Sequence, residues 1–123
     1  MIQNVKIVVV DKDEMVRDFT VDVLEFCVNR EVLAFDNGSD AWDFIKRPEN
    51  AHIIILDAEI PLMNGFDLLK NIKKKFPEKT CIIMSHHYKN EKVAKELGAD
   101  AFLAKPFYID ELFELVQRYV VQT

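Results

Sequence analysis

Short continuous apolar runs alternate with longer stretches in which apolar residues recur every three or four positions. Val5-Lys6-Ile7-Val8-Val9-Val10 and Ile53-Ile54-Ile55-Leu56 are rich in β-branched residues and too short for helices. They read as strands buried on both faces, as in a parallel sheet covered by helices. Cys81-Ile82-Ile83-Met84 and Ala101-Phe102-Leu103-Ala104 read the same way, and Glu31 to Phe35 is a further short strand. Helical spacing predicts a helix from about Glu14 to Asn29, with Val16, Phe19, Val23 and Phe26 inward. A second opens at Ser39 and ends near Arg47-Pro48, with Ala41, Phe44 and Ile45 inward. A third runs from Phe66 to Phe76 on Leu68, Leu69 and Ile72, and Pro77 stops it. A weakly apolar fourth spans Asn90 to Leu97, with Gly98 as its stop. The fifth, Ile109 to Val120, places Leu112, Phe113, Val116 and Val120 on one face. Asp36-Asn37-Gly38, Pro61 and Asn64-Gly65 mark turns and loops.

Five strands alternating with five helices predict a parallel sheet with right-handed crossovers. The pattern leaves strand order open, but the strand endings carry information. Four runs finish at Asp11, Asp57, Ser85 and Lys105. In a parallel sheet those ends share one edge, which is where ligands bind in open α/β folds. An unpaired carboxylate inside an apolar run is costly, so Asp57 belongs where its strand leaves the core. Two carboxylates at one edge repel and invite a hard cation; magnesium suits an open site of that kind. A carboxylate also serves as a nucleophile toward phosphorus, giving an aspartyl phosphate. Phosphoryl transfer needs positioning and charge neutralisation, which a metal, Lys105 and the Ser85 hydroxyl supply.

Composition narrows the class. The 123 residues suit one domain, and half are apolar. A formal net charge of −5 argues against direct nucleic-acid binding. No apolar run reaches membrane-spanning length, and Met1-Ile2-Gln3-Asn4 lacks a signal-peptide pattern. Cys27 and Cys81 fit no metal or redox spacing and read as reduced core thiols. A cytoplasmic domain is expected.

Here the chain resembles the receiver domain of two-component response regulators. The resemblance rests on Val10-Asp11, on Ile55-Leu56-Asp57 with Pro61, Met63, Asn64 and Gly65, and on Met84-Ser85. Gly98-Ala99-Asp100-Ala101 and Lys105-Pro106-Phe107 complete it. It covers nearly the whole chain, so one receiver domain over residues 1–123 with no output domain is expected. The resemblance implies a doubly wound, flavodoxin-like three-layer sandwich of five βα units with strand order 2-1-3-4-5. It implies that Asp57 accepts a phosphoryl group from a sensor histidine kinase or phosphotransfer protein. Asp11, Asp57 and the Glu59 backbone carbonyl would hold magnesium, and Lys105 would pair first with the carboxylate and then with phosphate. Ser85 and Phe102 would form the switch, and Lys105-Pro106 would be cis. The fourth helix, fifth strand and fifth helix would meet an output partner or a second copy, with Tyr88, Lys89, Lys92, Lys95 and Tyr119 as candidate surface. Such a domain is a switch rather than an enzyme.

The sequence departs from that family at position 12, where Lys12 stands in place of the second acid of a pair. Three arrangements are open. Lys12 points to solvent and leaves a weak magnesium site, Asp13 substitutes as ligand, or the Lys12 ammonium takes the metal's place. Asp13 also reads as a helix cap. The resemblance implies that Glu59 and His86 stand at the pocket mouth, where they would modify phosphate lifetime and access. Two other functions compete. A pseudo-receiver would bind partners without phosphorylation. A haloacid-dehalogenase-like phosphatase would use Asp11 as nucleophile and Asp13 as acid, but no later acidic pair or cap insertion follows. No phosphate-binding loop of flavodoxin type follows the first strand.

Overall fold

The computed structural model describes residues 5–120. Its elements are β1 (Ile7–Val10), α1 (Glu14–Cys27), β2 (Val32–Phe35), α2 (Gly38–Ile45), β3 (Ile53–Asp57), α3 (Gly65–Lys75), β4 (Thr80–Ser85), α4 (Asn90–Glu96), β5 (Ala101–Ala104) and α5 (Ile109–Val120). A 3-10 turn, Pro48–Asn50, separates α2 from β3. The sheet is parallel, with order β2-β1-β3-β4-β5.

Side chains alternate across the sheet and build two cores. Val8, Val10, Ile54, Leu56, Cys81 and Ile83 face α2, α3 and α4, joined by Ala41, Ile45, Leu68, Leu69, Ile72 and Ala94. Ile7, Val9, Ile53, Ile55, Ile82 and Met84 face α1 and α5, joined by Val23, Leu24, Leu112, Val116 and Val120. The central strands are buried on both faces, which is why they lack polar alternation.

The inward stripe of α1 differs from the expected one. Phe19 is 42% exposed and Phe26 is 89% exposed, whereas Thr20, Val23 and Leu24 are buried. Thr20 is tolerated there because its hydroxyl donates to the Val16 carbonyl at 2.7 Å. Cys27, at the end of the same helix, is exposed rather than a core thiol. Cys81 is buried, and burial pushes its thiol up to about 12. The α1 cap is the expected Asp13, whereas α2 and α3 each start one residue before the expected Ser39 and Phe66, because the turn residues Asn37 and Asn64 serve as caps. Asp13, Asn37 and Asn64 cap α1, α2 and α3 through their side chains. Gly98 takes φ 96° after α4, a left-handed position that favours glycine.

Candidate functional site

Register brings the strand ends together. Val10 lies opposite Leu56, so the next residues, Asp11 and Asp57, stand side by side. Ser85 lies opposite Ala104, and Lys105 follows; its backbone N–H donates to the Ser85 carbonyl at 2.8 Å. Asp11, Asp57, Ser85 and Lys105 are all buried, at 1%, 6%, 1% and 8% exposure. Charged side chains are almost never this buried unless paired.

The pairing is a triad. The Lys105 ammonium donates to Asp11 Oδ2 at 2.5 Å and to Asp57 Oδ2. The other oxygen of each acid is engaged by a tight local turn. Asp13 N donates to Asp11 Oδ1 at 2.9 Å, and Glu59 N donates to Asp57 Oδ1 at 2.7 Å. These turns aim both Oδ2 atoms at the lysine. Burial by itself would lower the Lys105 pKa, but the hydrogen bonds to Asp11 and Asp57 override it and hold the ammonium above its usual range. Lys105-Pro106 is a cis peptide.

The other candidates surround this pit. Lys12 is exposed, so the cation between the acids is Lys105 and not Lys12. Asp13 is exposed, and its Oδ1 accepts from Met15 N at 3.0 Å and Val16 N at 3.2 Å as the cap of α1. Ser85 Oγ accepts from His87 N and from Asn90 Nδ2, each at 2.9 Å. Glu59 is exposed on the loop after β3. His86 is exposed and lines a small cleft of about 200 Å³ with Val16, Phe19, Lys105, Pro106 and Phe107. Phe102 is half-buried on β5 and packs against the α2–α3–α4 core.

Three contacts were not anticipated. Glu59 Oε1 lies 3.0 Å from His87 Nε2, bridging the loops after β3 and β4. Asn90 holds the Ser85 hydroxyl. Arg17 Nη1 donates to the Asp11 carbonyl at 3.0 Å and ties α1 to the same edge. No motif announces them, because each depends on where separate loops and helices meet.

Among the described residues no group of three or more His, Cys, Asp or Glu side chains could hold a metal ion. Asp11 and Asp57 converge, and the Glu59 carbonyl follows on the adjoining loop, but position 12 adds a cation where a third carboxylate would help. Magnesium keeps several waters and needs only one or two carboxylates. Asp11 and Asp57 supply the one or two carboxylates that such an ion needs.

Comparison with known proteins gives the same outline. The family model "Response regulator receiver domain" matches residues 7–117. Sporulation initiation phosphotransferase F of Bacillus subtilis (strain 168) is 33% identical over 122 residues, covering 95% of this chain and 94% of that protein. The DNA-binding transcriptional regulator NtrC of Proteus hauseri is 34% identical over 117 residues, covering 91% of this chain but 24% of NtrC. Among solved structures, the BeF3-activated receiver domain of DrrB from Thermotoga maritima superposes with a TM-score of 0.84 at 28% identity, covering 96% of this chain and 98% of that one.

Proposed function

We propose, from the premise that this chain belongs to the response regulator receiver domain family, that Asp57 is its phosphoacceptor and that it works as a phosphorylation-dependent switch. Receiver domains are signalling switches rather than enzymes, they interact with histidine kinases and phosphotransfer proteins, and they typically bind magnesium. The observation that carries the proposal for this chain is the buried Lys105 ammonium bonded to both Asp11 and Asp57.

The step is a phosphoryl transfer. An Asp57 carboxylate oxygen attacks the phosphorus of a phosphohistidine presented at the sheet edge. The O–P bond forms, the N–P bond breaks, and its electron pair stays on the imidazole nitrogen. Such transfers rest on positioning and charge neutralisation. Lys105 bonds Asp57 before transfer and neutralises phosphoryl oxygens after it. Asp11 keeps the ammonium in place throughout, and Ser85 supplies a hydroxyl to the phosphoryl group. A magnesium ion held by Asp11, Asp57 and the Glu59 carbonyl would add further neutralisation.

Acceptance of the phosphoryl group then biases the surface formed by α4, β5 and α5, where an output partner or a second copy would read it. The chain spans about a quarter of NtrC and nearly all of the sporulation phosphotransferase, so both embedded and stand-alone receivers occur among its relatives. A cytoplasmic setting agrees with no described helix being long and apolar enough to cross a membrane. A phosphorylation-independent binding module is the second reading, and the exposed Lys12 in an acid's place is what favours it.

Incubation with phosphoramidate, with and without magnesium, followed by peptide mass mapping, tests the proposal. A phosphoryl mass gain on Asp57, absent in Asp57→Asn, is expected. No gain under either condition supports the binding module. Gain on Asp11 with continuous ester turnover supports the phosphatase chemistry instead.

A further inference from the structure

The Ser85 hydroxyl is tied to the chain that follows β4. Both of its hydrogen-bond partners lie on the segment leading into α4: the backbone N–H of His87 and the side-chain amide of Asn90, the first residue of that helix. The Asp57 oxygens are engaged by Glu59 N and Lys105 instead. A hydroxyl has one hydrogen to give and two lone pairs. Here both bonds are received by the oxygen and the hydroxyl hydrogen stays free to donate, so what a phosphoryl group on Asp57 requires is that the oxygen turn inward, and that movement draws it off the Asn90 amide.

The two bonds differ in origin. The His87 bond comes from the backbone two residues on and belongs to the turn itself. The Asn90 bond comes from a side chain five residues away and is the one a substitution removes cleanly. Asn90 also sits on a lightly anchored element. The seven-residue α4 has one buried residue, Ala94, and an element with so little buried surface shifts at low cost. The backbone N–H of Asn90 donates to the His87 carbonyl at 2.9 Å, which joins the turn to the helix.

We infer that Asn90 is a positioning residue: its amide latches the Ser85 hydroxyl in the unphosphorylated arrangement and links release of that hydroxyl to the first turn of α4. The inference rests on the reading of Asp57 as phosphoacceptor. While the latch holds, the Ser85 oxygen stays on the α4 side. When Ser85 turns inward, Asn90 loses its acceptor and α4 loses one of its ties.

The test titrates the chain with beryllium fluoride, the phosphoryl analogue, in excess magnesium, following backbone amide NMR signals. Asn90→Ala is expected to lower the half-saturating concentration about fivefold. That is about 1 kcal/mol at 1.4 kcal/mol per factor of ten, the net worth of one neutral hydrogen bond. Asn90→Leu keeps the bulk and loses the donor, and should behave alike, so loss of packing cannot explain the shift; either variant suffices if the other does not fold. In a Ser85→Ala background the change should vanish, whereas a merely structural role for Asn90 would leave it intact. Unchanged or weakened binding in the Asn90 variants, or an equal shift without Ser85, overturns the latch. If the unaltered chain neither binds the analogue nor gains phosphate on Asp57, the phosphoacceptor reading fails and the latch with it. Phosphate gain on Asp57 without an Asn90 effect overturns the latch alone.

Discussion

Lys105→Met replaces the ammonium of the buried triad with an apolar side chain of similar length. In the wild-type pit that ammonium faces two carboxylates. Unit charges about 4 Å apart interact by about 4 kcal/mol at an effective dielectric near 20. Two attractions against one repulsion leave the triad favourable by about one such interaction. Without Lys105 the repulsion between Asp11 and Asp57 stands alone and both acids are buried without a cation. Relaxation, protonation and water entry shrink this swing, and removing one partner of a buried ion pair typically costs about 3–5 kcal/mol. We expect that loss for Lys105→Met, a large part of the roughly 5–15 kcal/mol that keeps a domain folded. Asp57→Asn added to Lys105→Met removes one of the two stranded charges and should recover at least about 1 kcal/mol. Urea unfolding measures both, as shifts in midpoint at constant slope. The pH dependence has a definite sign. Lys105 titrates above its usual value of 10.5 in the folded chain. Its contribution is therefore complete below pH 10.5 and is lost as pH rises through the folded value. The gap between wild type and Lys105→Met should narrow on that alkaline side. A loss under about 1 kcal/mol at neutral pH, or no recovery from Asp57→Asn, would refute the account of the triad.

Further outcomes follow from the same contacts. Lys12→Asp exchanges an exposed cation for a carboxylate beside Asp11 and should tighten magnesium binding by on the order of tenfold or more, measured by calorimetry; equal affinity would show that position 12 does not govern the metal. Leu24→Ala should cost about 2–5 kcal/mol in urea unfolding, while Phe26→Ser should stay within about 0.5 kcal/mol; the reverse ranking would restore the stripe expected from spacing. Iodoacetamide should label exposed Cys27 in the native chain and spare Cys81, whose thiol is buried and pushed up to about 12; labelling of Cys81 without denaturant would contradict its burial.

The alternation of strands and helices, most of their boundaries and the four strand-end residues were legible in the amino-acid order alone. These signals are local: β-branched runs, helical spacing, and punctuation by Asp13, Gly98 and Pro77. Strand order was not local, and came first from family resemblance and then from the observed pairing. The face of α1 misled because two stripes share Val16 and Val23. The choice between Phe19 with Phe26 and Thr20 with Leu24 depends on the tilt at which the helix meets the sheet, and the winning stripe includes a threonine that spacing alone discounts. At the pit, sequence placed Asp11, Asp57, Ser85 and Lys105 on one edge. Only the folded chain decided that Lys105 rather than Lys12 bridges the acids, that Asn90 holds Ser85, and that Glu59 meets His87. Those are contacts between side chains on separate segments. Their geometry is set by register and packing, which no short stretch of the chain encodes.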